Sequence, residues 1–182
     1  MATFPIHSLD TAPDASKPIL AAVQKSFGFV PNLIRILAEA PAAAEAYTTL
    51  MDIFARTSLT ESEKQTVILS ASYVNKCEYC MAAHSTAAAM QKVPAEVIEA
   101  LRNGTPLEDP RLEALARLTR EIVETRGWPS DAAKSAFTAA GFTPAQYLEV
   151  VVGVTMKTLS NYVNHAAETP LDSAFSAQEW AA

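Results

Sequence analysis

Apolar residues recur along this chain at three- and four-residue intervals and nowhere alternate with polar ones for long, so the pattern predicts helices throughout. A short helix is expected over 19–27, stopped by Gly28. Pro31 opens a second, and Pro41 divides it from a longer one over 42–56, in which Tyr47, Leu50, Met51 and Phe54 share a face. Thr60-Glu61-Ser62-Glu63 is a capping box, and Val67, Ile68, Ala71, Tyr73 and Val74 continue an apolar face to about Asn75. A new helix starts at Cys77 and runs to about Gln91; Pro94 opens another that Asn103-Gly104 ends. Leu112, Leu115, Leu118 and Ile122 line one face of a helix over 110–126, broken by Gly127-Trp128-Pro129. Ser130 caps a helix to Ala140, and Thr143-Pro144 starts the last long one, through Tyr147, Val151, Val154 and Leu159 to about Ala167. The expectation is an all-α, compact multi-helix bundle of six to nine helices. An extended N-terminal arm over 1–18 precedes it, where Pro5, Pro13 and Pro18 interrupt any period.

Composition narrows the function more than the fold. Hydrophobic residues make up 49% of the 182, enough to build a sizeable core, and one domain over 1–182 is expected. A net charge of −6 argues against nucleic acid or an anionic membrane surface as partner. No run approaches the ~20 apolar residues of a membrane span, and the first residues lack the basic start and apolar stretch of a secretory signal. A cytoplasmic protein is therefore expected, and in a reducing compartment a Cys-x-x-Cys pair is more often catalytic or metal-binding than structural.

The chain's only two cysteines are Cys77 and Cys80, and His84 follows four residues later. At ~100° per residue these three side chains fall within about one-sixth of a helical turn. A thiol at a helix N-terminus feels the positive end of the dipole, and an adjacent imidazole can take a proton or stabilise a thiolate; both lower a cysteine pKa. A thiolate attacks peroxide oxygen to give a sulfenic acid, which condenses with a second thiol into a disulfide, and an outside dithiol must then reduce it. Zinc is the first alternative, with Cys77, Cys80 and His84 as three ligands and a fourth from His7, His165 or an acidic residue; no second close-spaced pair exists to complete such a site. Two buried thiols packing as small hydrophobes are the other. The segments 60–84 and 143–165 also share a threonine cap, an apolar helix and an Asn/Tyr/His ending, with Asn161 and Asn164 spaced like the cysteines; a degenerate duplication and two helices of like composition explain this equally well.

Leu59-Thr60-x-x-Glu63-x-Gln65-x-Val67 and Asn75-x-Cys77-x-Tyr79-Cys80-x-x-x-His84 resemble the alkylhydroperoxidase D-like / carboxymuconolactone decarboxylase family. Phe27-Gly28-Phe29-Val30-Pro31-Asn32 and Asn161-Tyr162-Val163-Asn164-His165 resemble its peroxidase-related branch. The resemblance implies an alkylhydroperoxidase D-like helical fold, with the redox core at about 42–92, and a homo-oligomer (dimer, trimer or hexamer). It implies a thiol-dependent peroxidase acting on hydrogen peroxide or small organic hydroperoxides, with no cofactor. The external dithiol reductant would be a thioredoxin-like or lipoyl-type protein. Carried over, Cys80 attacks, Cys77 resolves and His84 belongs to the proton relay. The family's relay glutamate is replaced here by Gln65, which cannot accept a proton at neutral pH. Glu63, Glu149 and His165 are candidates to replace it, although capping accounts for Glu63, a solvated position for Glu149 and a helix-end charge for His165. Tyr79 is expected to pack as an aromatic, His7 to lie at the surface, and Trp128 and Trp180 to serve packing or an interface. A thiol–disulfide oxidoreductase, a lactone decarboxylase-related protein and a non-enzymatic helical oligomer are the alternative readings.

Overall fold

The computed structural model describes residues 4–182, so the first three positions of the expected arm lie outside the described residues. These residues form α1 (Lys17–Phe27), α2 (Asn32–Leu37), α3 (Pro41–Ala55), α4 (Glu61–Val74), α5 (Glu78–Met90), α6 (Ala95–Asn103), α7 (Pro110–Glu124), α8 (Asp131–Ala139) and α9 (Pro144–Ala167). A 3-10 helix, Ser173–Gln178, follows, and no strand occurs among the described residues. The all-α expectation holds, and the boundaries fall where the caps place them. Thr60 accepts from Glu63 N while the Glu63 carboxylate accepts from Thr60 N at 2.8 Å, the reciprocal box its spacing predicts. Ser130 caps α8 by accepting from Ala133 N, with no reciprocal partner, and Gly104 ends α6 at φ 65°, with the Tyr73 ring filling the space a side chain would need.

α4 is the axis of the bundle, packed on by α5, α6, α7 and α9. A single apolar face is too narrow a description of it: every position from Glu63 to Ser72 is buried. Several of its polar side chains bond locally, although Ser70 Oγ finds no partner among the described residues. Thr66 donates to the Ser62 carbonyl and Ser72 to the Ile68 carbonyl, each at 2.8 Å, and Lys64 Nζ reaches the Ala55 carbonyl at 2.7 Å.

α9 runs unbroken for 24 residues and crosses α3 and α4 at Gly153. A Cβ there would lie 2.6 Å from the Phe54 ring and 2.8 Å from Val67, so only glycine lets the helices come this close. The same face of α9 then buries Lys157, Ser160, Asn161 and Asn164. Between α4 and α5 the chain turns sharply through Lys76, a non-glycine at φ 53°. Asn75 anchors that turn by donating to Asn161 Oδ1 at 2.9 Å. Thus α9 holds the start of α5 from outside.

The arm docks on α2. His7 N donates to the Arg35 carbonyl at 3.3 Å, and Arg35 Nε returns to the His7 carbonyl at 2.7 Å. The His7 ring lies 2.6 Å from Glu39 and 3.3 Å from Thr11, and it is buried; the expected surface position is corrected, because the arm closes over the end of α2 and carries the ring inward.

Candidate active site

Cys77 is the N-cap of α5 and Cys80 lies in its first turn. Both sulfurs are therefore at the positive end of a helix, and they are unlinked. Both are enclosed, at 0% and 1% exposure. The polar face of α9 lies across them. Asn164 Nδ2 points at both sulfurs, 3.2 Å from Cys80 Sγ and 3.7 Å from Cys77 Sγ. Ser160 Oγ is 3.9 Å from Cys80 Sγ. Lys157, one turn earlier, is wholly buried, and among the described residues its ammonium finds no oxygen acceptor.

A buried ammonium is costly unless a counter-charge faces it. The groups that face Lys157 are Cys80, Tyr47 and Cys77. Burial alone would strip the lysine of its proton; the charge on Cys80, then those of Tyr47 and Cys77, reverse this and hold it above its usual value. Burial likewise pushes the Cys80 thiol up. The hydrogen bond from Cys77, the nearby charge of Lys157, and Ser160 outweigh it and hold Cys80 well below the usual range. Cys77 moves the other way: its hydrogen bond to Cys80, its burial and the adjacent thiolate charge all keep its proton on. The two thiols are thus pushed in opposite directions, Cys80 toward the charged form and Cys77 toward the neutral one.

Cys80 lines a cavity of about 310 Å³. Its walls are mostly apolar and aromatic, with Phe29, Tyr47, Met51, Tyr79 and Phe175 among them, and His84 and Gln91 are polar members. Tyr47 is buried, and its hydroxyl is held above its usual pKa by burial, with the Lys157 charge opposing. His84 shares this cavity with Cys80, but no hydrogen bond joins it to either sulfur, and its buried Nδ1 has no partner among the described residues. Burial, then the Lys157 charge, holds the imidazole well below its usual pKa, so at neutral pH it carries no charge. The cation that faces Cys80 is Lys157 instead.

The remaining candidates separate clearly. Gln65 is buried and donates through Nε2 to Gln91 Oε1 at 2.8 Å, which connects it to the cavity wall at one remove. Glu63 is occupied by its cap and by Arg111 Nε at 2.8 Å. Glu149 accepts from Ser58 N and Oγ at 2.9 and 2.8 Å, away from the sulfurs. His165 is exposed, beside a separate hollow near Cys77. Tyr79 does more than pack: its hydroxyl donates to Asp172 Oδ2 at 2.6 Å, while its ring meets Phe175 edge-on at 6.0 Å. Asp172 also accepts from Asn32 N, so the tail after α9 is fastened over the cavity. Trp180 packs on Tyr73, whereas Trp128 is 84% exposed. No group of three or more His, Cys, Asp and Glu side chains among the described residues is arranged to hold a metal ion.

Lys157, Ser160, Asn164, Tyr47 and the tail residues Asp172 and Phe175 are the members that sequence reasoning missed. One signal was present. Positions 150, 153, 157, 160 and 164 follow a three/four spacing, which sets Lys157 on the inward stripe of an otherwise apolar helix.

Residues 41–121 match the profile of the carboxymuconolactone decarboxylase family, so the resemblance read from the sequence holds. No curated protein matches the chain in sequence. Among solved structures, an alkylhydroperoxidase AhpD core, peroxidase-related protein from Ralstonia eutropha JMP134 superposes with TM-score 0.84 at 23% identity, covering 94% of this chain and 93% of that one. A peroxidase-related protein from Silicibacter sp. TM1040 gives 0.81 at 19% identity over 97% and 94%. The debrominase Bmp8, as a cysteine-to-alanine variant in complex with 2,3,4-tribromopyrrole, gives 0.81 at 15% identity over 98% and 95%. At these identities the likeness is one of fold. No helix among the described residues is long and apolar enough to cross a membrane.

Proposed function

We propose that this protein is a thiol-dependent peroxidase that reduces small organic hydroperoxides and hydrogen peroxide through Cys80 and Cys77. The observation that carries this reading is Cys80 in the lining of the aromatic cavity, with the buried Lys157 facing it and Asn164 Nδ2 3.2 Å from its sulfur. The Cys80 thiolate attacks the terminal oxygen of the hydroperoxide, and the O–O bond breaks. Cys80 becomes the sulfenic acid, and the departing alkoxide takes a proton from the Lys157/Tyr47 side of the site. The Cys77 sulfur then displaces hydroxide from Cys80; its proton leaves with that hydroxide as water, with neutral His84 as the shuttle. Reduction of the disulfide by an external dithiol restores the Cys77 thiol, the Cys80 thiolate and the proton used in the first step. The reading includes self-association, which light scattering measures. Dithiol-dependent consumption of cumene hydroperoxide by the wild type and by Cys80→Ser tests the mechanism: loss of turnover in the variant is expected, and equal rates reject it.

The aromatic walls favour one second reading, reductive removal of bromine from an aromatic ring. There the Cys80 thiolate would take bromine from carbon, the ring carbanion would accept a proton, and Cys77 would expel bromide as the disulfide forms. Bromide release from a bromopyrrole, with no hydroperoxide turnover, decides for it.

A further inference from the structure

The dithiol has a second approach. Beside the first turn of α5, a surface hollow of about 340 Å³ counts the buried Cys77 and Asn164 in its lining, with Lys76, Glu78, His165, Glu168 and Thr169, and Tyr79 stands between it and the aromatic cavity as a member of both. Cys80 does not border this hollow, and Cys77 does not border the aromatic cavity. Two buried oxygens in its lining, Asn164 Oδ1 and Thr169 Oγ1, have no hydrogen-bond partner among the described residues. Asn164 is itself 5% exposed, and its amide nitrogen is already engaged with the sulfurs. Asn164 Oδ1 and Thr169 Oγ1 are thus spare acceptors on residues that line the hollow beside Cys77.

We propose that reducing equivalents reach the disulfide through this hollow: a small dithiol attacks Cys77 Sγ there and expels Cys80 as the thiolate, while the oxidising substrate is confined to the aromatic cavity. This rests on the reading that Cys77 and Cys80 form a disulfide. One sulfur of the dithiol bonds to Cys77, and the Cys77–Cys80 bond breaks with its electron pair going to Cys80. The second sulfur of the dithiol then closes on the first, releasing Cys77, which takes up a proton as the thiol. Thiol–disulfide exchange is faster when the departing sulfur is the more acidic one. Lys157, Ser160 and Asn164 favour Cys80 as that sulfur; attack from the aromatic cavity would have to expel Cys77, which Asn164 Nδ2 reaches only at 3.7 Å and Ser160 does not support. The charges on the rim are mixed, from Lys76, Glu78 and Glu168, and this suits a slender uncharged dithiol whose hydroxyl or thiol groups can donate to the free oxygens.

The test separates the two half-reactions. Diamide oxidises the wild-type protein without any peroxide, and 2-mercaptoethanol is then added together with iodoacetamide. Peptide mass analysis should find mercaptoethanol on Cys77 and the acetamide group on Cys80. The reverse labelling overturns the proposal and leaves the peroxidase reading standing; failure of diamide to form any disulfide overturns both. Two variants give a second readout, the ratio of the rate of reduction by dithiothreitol to the rate of oxidation by cumene hydroperoxide. Thr169→Trp, which fills the hollow, should lower this ratio about tenfold, and Ala87→Trp, which fills the cavity, should raise it about tenfold. A ratio that does not move in Thr169→Trp, or that falls in Ala87→Trp, rejects separate approaches.

Discussion

Asn164 Nδ2 stands 3.2 Å from Cys80 Sγ, a bond between residues 84 positions apart that joins the middle of the chain to its last long helix. A nitrogen–hydrogen donor can hold a thiolate in place but cannot neutralise it, so this contact positions the sulfur while Lys157 supplies the charge. Asn164→Leu removes a hydrogen bond to a charged group, worth about 1.5–3 kcal/mol. Alkylation rate against pH should show the Cys80 titration rising by about one to two units in this variant.

Lys157→Met removes one partner of a buried charge pair. The methionine keeps much of the lysine's volume, but Cys80 must then either stay charged without a counter-ion or take up a proton, and breaking such a pair commonly costs about 3–5 kcal/mol. The thermal midpoint should fall at neutral pH. The thiol titration should move up by about two units, or about 2.7 kcal/mol, and peroxide turnover at neutral pH should fall with it. A variant with full turnover would remove the lysine from the mechanism.

Stability should decline toward acid in two stages. Cys80 is held below its unfolded pKa of about 8.5, so its contribution is complete above that value and is lost as pH falls through the folded pKa. His84 is also held low by burial, and below about pH 6.5 the unfolded imidazole gains a proton that the folded one refuses, which favours unfolding further. Lys157 has the opposite sign: held high, it stabilises at neutral pH and loses this as pH rises through its folded value. Urea midpoints should therefore fall from about pH 8 to pH 5.5, and His84→Gln should flatten only the part below about 6.5.

Tyr79→Phe tests the fastening of the tail. It removes the 2.6 Å bond to Asp172 but leaves the ring against Phe175 and leaves Asp172 its contact with Asn32 N. A cost of about 1–2 kcal/mol is expected, with faster hydrogen exchange over 172–178. Unchanged exchange there would show that aromatic packing alone holds the segment.

How far the chain could be read depended on whether a feature was local. The Thr60/Glu63 box, the prolines that open helices and the stop at Gly104 each lie within a few residues of the boundary they set, and each boundary was legible. The Cys77–Cys80–His84 spacing was legible for the same reason, although it did not show that burial holds the His84 imidazole well below its usual pKa. The partners of the sulfurs were not, because Lys157 and Asn164 reach them only after α9 folds back across α4 and α5. A lysine in an apolar helix marks an exposed edge as readily as a buried counter-ion, and period alone does not choose between them. The closing 3-10 helix was missed because six residues ending in small and polar side chains carry no helical stripe.

α9 behaves as a ruler. At ~1.5 Å per residue, about 16 Å of continuous helix separates its closest crossing at Gly153 from the amide of Asn164. With no kink to absorb a shift, a methyl group added at 153 would wedge one end and lever Lys157, Ser160 and Asn164 away together. Gly153→Ala could thus silence the nucleophile at long range while every reacting atom stayed in the protein, and so the chemistry of this dithiol is calibrated by a position that has no side chain at all.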